Sequence, residues 1–205
     1  MSTKVLYACI MAAVAVVCSY LGGVALGFLC TFSILIAYLE WYAISFLAHE
    51  QSKTVPKILG YACLTILPYT VFTLKRHEVL LQVFSIVWCT DIGALLGGKI
   101  GGGPKLWPAI SPNKTIIGLL CGIMCGVYIS KLFFQSWAFS LSETFILASF
   151  AQIGDLAESA CKRQAGIKDS NLPDLAIPGH GGILDRLDAM IFTFPIACVF
   201  IGLHS

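Results

Sequence analysis

The sequence predicts an all-α integral membrane protein with about seven transmembrane helices, built as one polytopic domain over residues 1–205. Three observations support this fold class. Hydrophobic residues make up 58% of the chain and charged residues only 12%, and the mean hydropathy is +0.85. A water-soluble fold cannot bury that much apolar surface and still present a polar exterior. Apolar runs of about 20 residues, the length of a spanning helix, recur along the chain.

The apolar runs fix the order of the predicted elements. The predicted spans cover residues 5–21, 24–39, 58–74, 79–96, 116–134, 139–155 and 187–203. The first two turn at Gly22-Gly23, and Glu40-Trp41-Tyr42 after the second is typical of a membrane–water interface. A Gly- and Pro-rich loop is predicted at 97–115. Residues 1–90 therefore hold amino-terminal spans, and residues 91–205 hold most of the polar motifs.

The distribution of lysine and arginine predicts which side of the membrane each loop occupies. With seven spans, the amino terminus and the loops at 48–57, 97–115 and 156–186 share one side. That side carries Lys4, Lys53, Lys57, Lys99, Lys105, Lys114, Lys162, Arg163, Lys168 and Arg186, and the other carries Lys75, Arg76 and Lys131. The positive-inside rule makes the richer side cytoplasmic. We expect a multi-pass protein of the inner (plasma) membrane.

Charge and cysteine content exclude two classes of protein. A net charge of +2 is too small to suggest nucleic-acid binding. The nine cysteines are odd in number, include no CxxC and lie mostly in apolar runs, so a disulfide framework is not expected. Cys121 and Cys125, one helical turn apart, are expected to pack as small apolar side chains rather than share a metal.

Charged residues are concentrated around the predicted end of the sixth span and the start of the seventh. Asp155, Glu158, Ser159 and Lys162 have the spacing of one helical face. Asp185 and Asp188 have an i, i+3 spacing on the far side of a Gly-rich turn. Carboxylates at two helix ends could hold one or two metal ions.

Two structural explanations stay open for this segment. Asp185 could serve as a helix N-cap, since carboxylates are favourable at a helix start. The cations Lys162, Arg163 and Lys168 could be an ordinary positive-inside cluster that meets anionic lipid head groups.

A second polar region precedes the fifth span. Asp91 lies within the fourth span, where a carboxylate is costly without a partner or a water-filled cavity. Further on, Ser111 or Thr115, together with Lys114, stands at the start of the next helix. Free N–H groups and the helix dipole make such a start a favourable anion site.

Together these motifs resemble those of the phosphatidate cytidylyltransferases (CDP-diacylglycerol synthases). The resemblance rests on Ser159-x-x-Lys162-Arg163-x4-Lys168-Asp169, Ile177-Pro178-Gly179-His180-Gly181-Gly182-Ile183-x-Asp185-Arg186-Leu187-Asp188, Asp91-x-Gly93-Ala94 and Ser111-Pro112-Asn113-Lys114-Thr115-x-x-Gly118. The resemblance is good over residues 91–193. Over the first ninety residues it rests mostly on hydropathy, with a weaker match in sequence at Glu40-Trp41. It implies a membrane enzyme for phospholipid biosynthesis that converts CTP and phosphatidate into CDP-diacylglycerol and pyrophosphate with Mg²⁺.

The resemblance also implies a role for each matching residue. Metal-side carboxylates are expected at Asp155, Asp185 and Asp188, supported by Glu158. Catalytic roles are expected for Lys162, Arg163, Lys168, Asp169, His180 and Arg186. Substrate-binding roles are expected for Asp91, Ser111, Lys114, Thr115, Ser159, Gly181 and Gly182. His180 is expected to contact a phosphate rather than act as a general base, since an ionised phosphate needs no base to attack.

Several alternatives remain at this point. A small transporter or channel would explain an intramembrane carboxylate and broken helices, although no inverted repeat is found. A related CTP-dependent enzyme could use a polyprenyl or polyol acceptor. The sequence leaves open a second cation, the acyl-chain preference and the oligomeric state, for which a homodimer is one option.

Overall fold

A computed structural model describes residues 3–47, 54–74, 77–134, 138–164, 166 and 182–204. These residues form seven α-helices and one hairpin of two antiparallel strands. The elements are α1 (Thr3–Leu21), α2 (Gly23–Leu47), α3 (Thr54–Thr73), α4 (His77–Gly101), β1 (Lys105–Trp107), β2 (Ser111–Thr115), α5 (Ile116–Phe133), α6 (Leu141–Gln164) and α7 (Leu184–His204). The predicted helical class is confirmed, except that an all-α fold did not include the hairpin.

The described helices fit a membrane environment. By length and composition, the segments that could cross a membrane are Val24–Ala43, His77–Gly101, Ile116–Phe133 and Leu184–His204. Large apolar side chains point outward from them, among them Phe28 and Phe32 on α2 and Tyr128 on α5. Such an apolar exterior is typical of a lipid-facing surface. Four of the seven predicted spans thus meet the criterion among the described residues.

The core of the bundle lies between α2, α3, α4, α6 and α7, with α5 packed closely along α4. Glycines permit that close approach. A Cβ added at Gly122 would lie 2.6 Å from the Thr90 carbonyl oxygen, and one at Gly118 would lie 2.8 Å from the Ala94 carbonyl oxygen. Small residues that let helix backbones approach are typical of membrane bundles.

The predicted loop at 97–115 is largely wrong. Helix α4 continues through Gly97 and Gly98 to Gly101, because these glycines pack against α5 and prolong the helix contact. The chain then turns at Gly102 and Gly103, whose φ angles of 56° and 84° suit glycine. Most of the remaining residues form the hairpin, which ends where α5 begins.

Glu40-Trp41-Tyr42 lies near the end of the candidate span Val24–Ala43, and its place at a membrane interface stays a prediction. Helix α2 continues to Leu47, and both Glu40 and Trp41 are buried, whereas Tyr42 is exposed. Trp41 packs directly over Gly60 of α3. Glu40 faces the start of α7, whose backbone N–H groups compensate its burial.

Candidate active site

Helices α6 and α7 are joined by a buried charged cluster. The Lys162 Nζ atom lies 2.6 Å from Glu158 Oε2 on its own helix and 2.8 Å from Asp185 Oδ1 on α7. Asp185 also accepts a 3.0 Å hydrogen bond from the Gly182 N–H through its other oxygen. Asp185 is the second residue of α7, so it is not the N-cap that one alternative held; its side chain binds the N–H of a residue before the helix and a lysine.

The cluster distributes its charge unevenly. Glu158 lies beyond 139–155, the predicted sixth span, and burial raises its pKa to about 9, assisted by a hydrogen bond with Asp185 and opposed by Lys162. Burial therefore favours the neutral form of Glu158, and Lys162 favours the ionised form. Burial alone would lower the pKa of Lys162, but the two carboxyl groups outweigh it and raise that pKa. The cluster therefore consists of one lysine between two carboxyl groups, with Asp185 on α7 and Glu158 on α6.

A second group of charges lies beside the first and draws on four elements. Lys114 of β2 places its Nζ 2.5 Å from Asp155 Oδ2 of α6. Asp91 of α4 interacts electrostatically with Asp155, Lys114 and Arg186. Asp188 of α7 interacts with both Asp155 and Asp91, and also with Lys162. The two groups therefore form one continuous charged site.

Gly154 brings Asp155 and Asp188 to neighbouring positions. A Cβ at Gly154 would lie 2.5 Å from the Asp188 carbonyl oxygen and 3.1 Å from the Cα of Ala189. Only a residue without a side chain permits α6 and α7 to approach this closely. Close contact at position 154 explains why the next residue, Asp155, interacts with Asp188.

Sequence reasoning missed the role of Glu40. Its Oε1 accepts the Ile183 N–H at 2.9 Å, and its Oε2 accepts the Leu184 N–H at 2.7 Å. The side chain is 1% exposed. The first N–H groups of a helix lack partners within the helix, so a carboxylate from α2 completes the start of α7. A carboxylate in a long apolar helix was the available signal.

The hairpin presents Lys114 to the site. The strands pair Lys105 with Thr115 and Trp107 with Ser111. Thr115 is the N-cap of α5, and its Oγ1 accepts the Gly118 N–H at 3.0 Å. The predicted helix start is confirmed, and the hydroxyl of Thr115 stabilises that start while the preceding Lys114 reaches Asp155.

A cavity of about 100 Å³ adjoins the charged site between α2, α3, α6 and α7. Trp41, Cys63, Ile191 and Phe192 contribute apolar walls, while Glu158 and Asp188 also line it. The cavity therefore brings apolar surface next to carboxyl groups.

The structure places the other predicted site residues as follows. Arg163 is exposed and Ser159 half-buried on α6, Arg186 is exposed on α7, Ser111 lies on β2, and Gly182 is buried before α7. Lys168, Asp169, His180 and Gly181 lie outside the described residues. Within the described ranges, no three His, Cys, Asp or Glu side chains are grouped closely enough to hold a metal ion.

Comparison with known proteins gives the family. The model of the cytidylyltransferase family matches residues 74–204, which include every predicted site residue. The chain belongs to the cytidylyltransferase family. Its helices α4 to α7 and the hairpin thus form the family region, whereas Glu40 and Trp41 precede it.

Individual relatives point the same way. The chain is 47% identical over 123 residues to a phosphatidate cytidylyltransferase of Staphylococcus aureus (strain COL), a match that covers 57% of this chain and 46% of that protein. The same figures hold for a phosphatidate cytidylyltransferase of Staphylococcus haemolyticus (strain JCSC1435). That of Staphylococcus epidermidis (strain ATCC 12228) is 45% identical over 124 residues. The chain spans about half the length of these relatives.

Proposed function

We propose that this protein is a phosphatidate cytidylyltransferase, which transfers CMP from CTP to phosphatidate and releases pyrophosphate. The observation that carries the proposal is the convergence of Asp91, Lys114, Asp155 and Asp188 from four different elements. Such a site suits a reaction between two anionic phosphates, because carboxylates that could hold a metal ion lie there beside a lysine. Membership of the family and the names of the relatives support it.

Each group in the site has a task in this reaction. A phosphate oxygen of the lipid attacks the α-phosphorus of CTP, and the bond to the pyrophosphate oxygen breaks. Lys114 and Arg186 neutralise phosphate charge as the two anions approach. Lys162 holds Asp185 in place. Lys168, Asp169, His180 and the backbone of Gly181 complete the phosphate contacts in this proposal.

The carboxylates suit Mg²⁺ as a cofactor. Mg²⁺ usually binds one or two protein carboxylates and takes its remaining ligands from phosphates and water, so a closed cluster of three protein ligands is not required. Asp155 and Asp188 are neighbours from two helices and fit that requirement. When bound there, Mg²⁺ would offset phosphate charge and orient the phosphates. Asp185 and Glu158 both contact Lys162. In this proposal they hold α6 and α7 together and so keep Asp155 and Asp188 in position.

The lipid substrate fits the position of the site. The cavity next to Asp188 offers apolar walls to the glycerol end of a lipid, while the charged side chains meet its phosphate. In this proposal the chain crosses the cytoplasmic membrane seven times with its amino terminus inside. Both polar segments then face cytoplasmic CTP.

The proposal is tested with purified protein in detergent. Radiolabelled CTP and phosphatidate should give CDP-diacylglycerol and pyrophosphate, and Asp155→Asn, Asp185→Asn and Asp188→Asn should each abolish the product while the protein stays folded. Glu143→Gln is the matched control, because Glu143 is a carboxylate near the start of α6, remote from the site. Full activity in the Asp185→Asn variant would contradict the assigned role.

Two further outcomes would redirect the assignment. A polyprenyl or polyol acceptor that competes with phosphatidate and is itself converted would indicate another enzyme of the superfamily. Ion flux in liposomes without nucleotide, and no CDP-lipid product, would favour a channel.

A further inference from the structure

The start of α7 is held by a residue from the amino-terminal half of the chain. Glu40 of α2 accepts hydrogen bonds from the Ile183 and Leu184 N–H groups, at 2.9 and 2.7 Å. Glu40 lies well before residue 74, where the match to the family begins. In the sequence, Ile183 and Leu184 follow Glu40 by 143 and 144 positions.

Asp185 follows directly in the same helical turn. Its Oδ2 accepts the Gly182 N–H at 3.0 Å, and its Oδ1 lies 2.8 Å from Lys162 Nζ. Consecutive backbone N–H groups from Gly182 to Leu184 are thus bound by two carboxylates, one from α7 itself and one from α2. A shift of the Ile183 and Leu184 backbone would therefore move Asp185 away from Lys162.

Burial makes the Glu40 contact specific. Glu40 is 1% exposed and Leu184 is 1% exposed, so water cannot replace a lost hydrogen bond at little cost. The neighbouring Trp41 packs over Gly60 and lines the cavity together with Leu184 and Asp188. Helix α2 is therefore fixed on one side by α3 and on the other by α7.

We propose that Glu40 is a positioning residue for the active site: it fixes the first turn of α7 and thereby holds Asp185 against Lys162. The proposal rests on the proposed function for the chemistry that this site performs. It assigns the amino-terminal half a part in catalysis, in addition to membrane anchoring. In this proposal Glu40 acts through the first turn of α7 and Asp185.

The first experiment measures the contact without any substrate. Backbone hydrogen–deuterium exchange is followed in the peptide that contains Ile183 and Leu184, in the wild type and in Glu40→Gln and Glu40→Ala. Exchange at the start of α7 should be faster in Glu40→Gln than in the wild type, because glutamine keeps only one acceptor oxygen. It should be faster still in Glu40→Ala, which keeps none. Glu143→Gln is the matched control, because this carboxylate accepts the Ser140 N–H at another helix start. It should leave exchange at the start of α7 unchanged.

The second experiment measures the consequence for the reaction. Displacing a catalytic group by about 1 Å can cost on the order of 100-fold in rate, so kcat of Glu40→Ala should fall by that order while KM for phosphatidate changes little. The kcat of Glu40→Gln should lie between those of Glu40→Ala and the wild type. If Glu40→Ala does not fold, the comparison of Glu40→Gln with the wild type is the test.

A double-mutant cycle distinguishes positioning from general destabilisation. Since Glu40 acts through Asp185, the losses of CTP affinity in Glu40→Gln and Asp185→Asn should be less than additive. Additive losses, or unchanged exchange at the start of α7, would overturn the proposal, as would wild-type kcat in variants that exchange faster. A wild-type protein that makes no CDP-lipid would overturn the proposed function, and faster exchange in the variants would still support the Glu40 contact.

Discussion

Lys162 of α6 and Asp185 of α7 form an ion pair at 2.8 Å, with side chains only 10% and 14% exposed. The pair joins the two helices that carry most of the polar motif. Glu158 lies on the other side of Lys162 at 2.6 Å. Lys162 is thus held between two carboxyl groups of the protein, and its expected contact with a phosphate stays a prediction.

Replacing Lys162 by Met should destabilise the protein and abolish turnover. The change would leave Asp185 buried without its cation, and breaking a buried pair costs about 3 kcal/mol or more. Thermal unfolding in detergent measures the loss. Lys99→Met is the control, since Lys99 is exposed on α4, and its unfolding temperature should match the wild type. An equally stable Lys162→Met protein would contradict the structural importance of the pair.

Gly154→Ala should disturb the contact between α6 and α7. The new Cβ would lie 2.5 Å from the Asp188 carbonyl oxygen, and overpacking of this kind costs about 1–3 kcal/mol. Because the strain falls between Asp155 and Asp188, we expect kcat to fall as well. Gly202→Ala offers a matched control on α7, where an added Cβ meets nothing within 4 Å. It should keep wild-type activity, and an active, equally stable Gly154→Ala protein would contradict the predicted close contact.

Lys114→Met should raise KM for CTP by roughly tenfold or more, the cost of losing a charge-assisted contact. Lys114 neutralises Asp155 at 2.5 Å, and in the proposed function it also meets a phosphate. Steady-state kinetics at varied CTP concentration measure the change. The losses of CTP binding affinity in Lys114→Met and Asp155→Asn, measured by direct binding because Asp155→Asn should form no product, should be less than additive, since the two groups are partners. Fully additive effects would indicate that they act independently.

Thr115→Val should cost about 1 kcal/mol of stability, because it removes the N-cap of α5. The Thr115 hydroxyl accepts the Gly118 N–H at 3.0 Å. We also expect KM for CTP to rise, since Lys114 is adjacent. Thr65→Val is the control: this exposed hydroxyl donates to carbonyls of its own helix. Equal unfolding temperatures for Thr115→Val and Thr65→Val would show that the N-cap contributes nothing to stability.

Some features of the fold followed from the sequence because they depend on local patterns. Apolar runs located the seven helices that the described residues form, and the Gly22-Gly23 turn lies where it was expected, with Gly22 at a φ of 60°. Helix ends were less accurate. Helix α4 runs past the predicted end to Gly101 because its glycines gain contacts with α5, and no local pattern encodes a partner that distant.

The site shows the same division. The helical spacing of Glu158 and Lys162 predicted a shared face, and the structure pairs them on one face of α6. The spacing could not show that Lys114 of the hairpin reaches Asp155, or that α6 and α7 meet at Gly154. The catalytic, substrate-binding and metal roles of the site residues all stay predictions, and Lys168, Asp169, His180 and Gly181 also lie outside the described residues.

Hydropathy and helical spacing are properties of neighbouring residues, and they were enough to predict a helical membrane protein whose polar motifs lie in two segments. Which of these groups meet depends on the packing of the helices: Lys114 meets Asp155, Lys162 meets Asp185, and Glu40 meets the start of α7. These contacts join positions far apart in the chain. Burial then sets their strength, since a carboxylate that water cannot reach depends on whichever donor the fold brings to it.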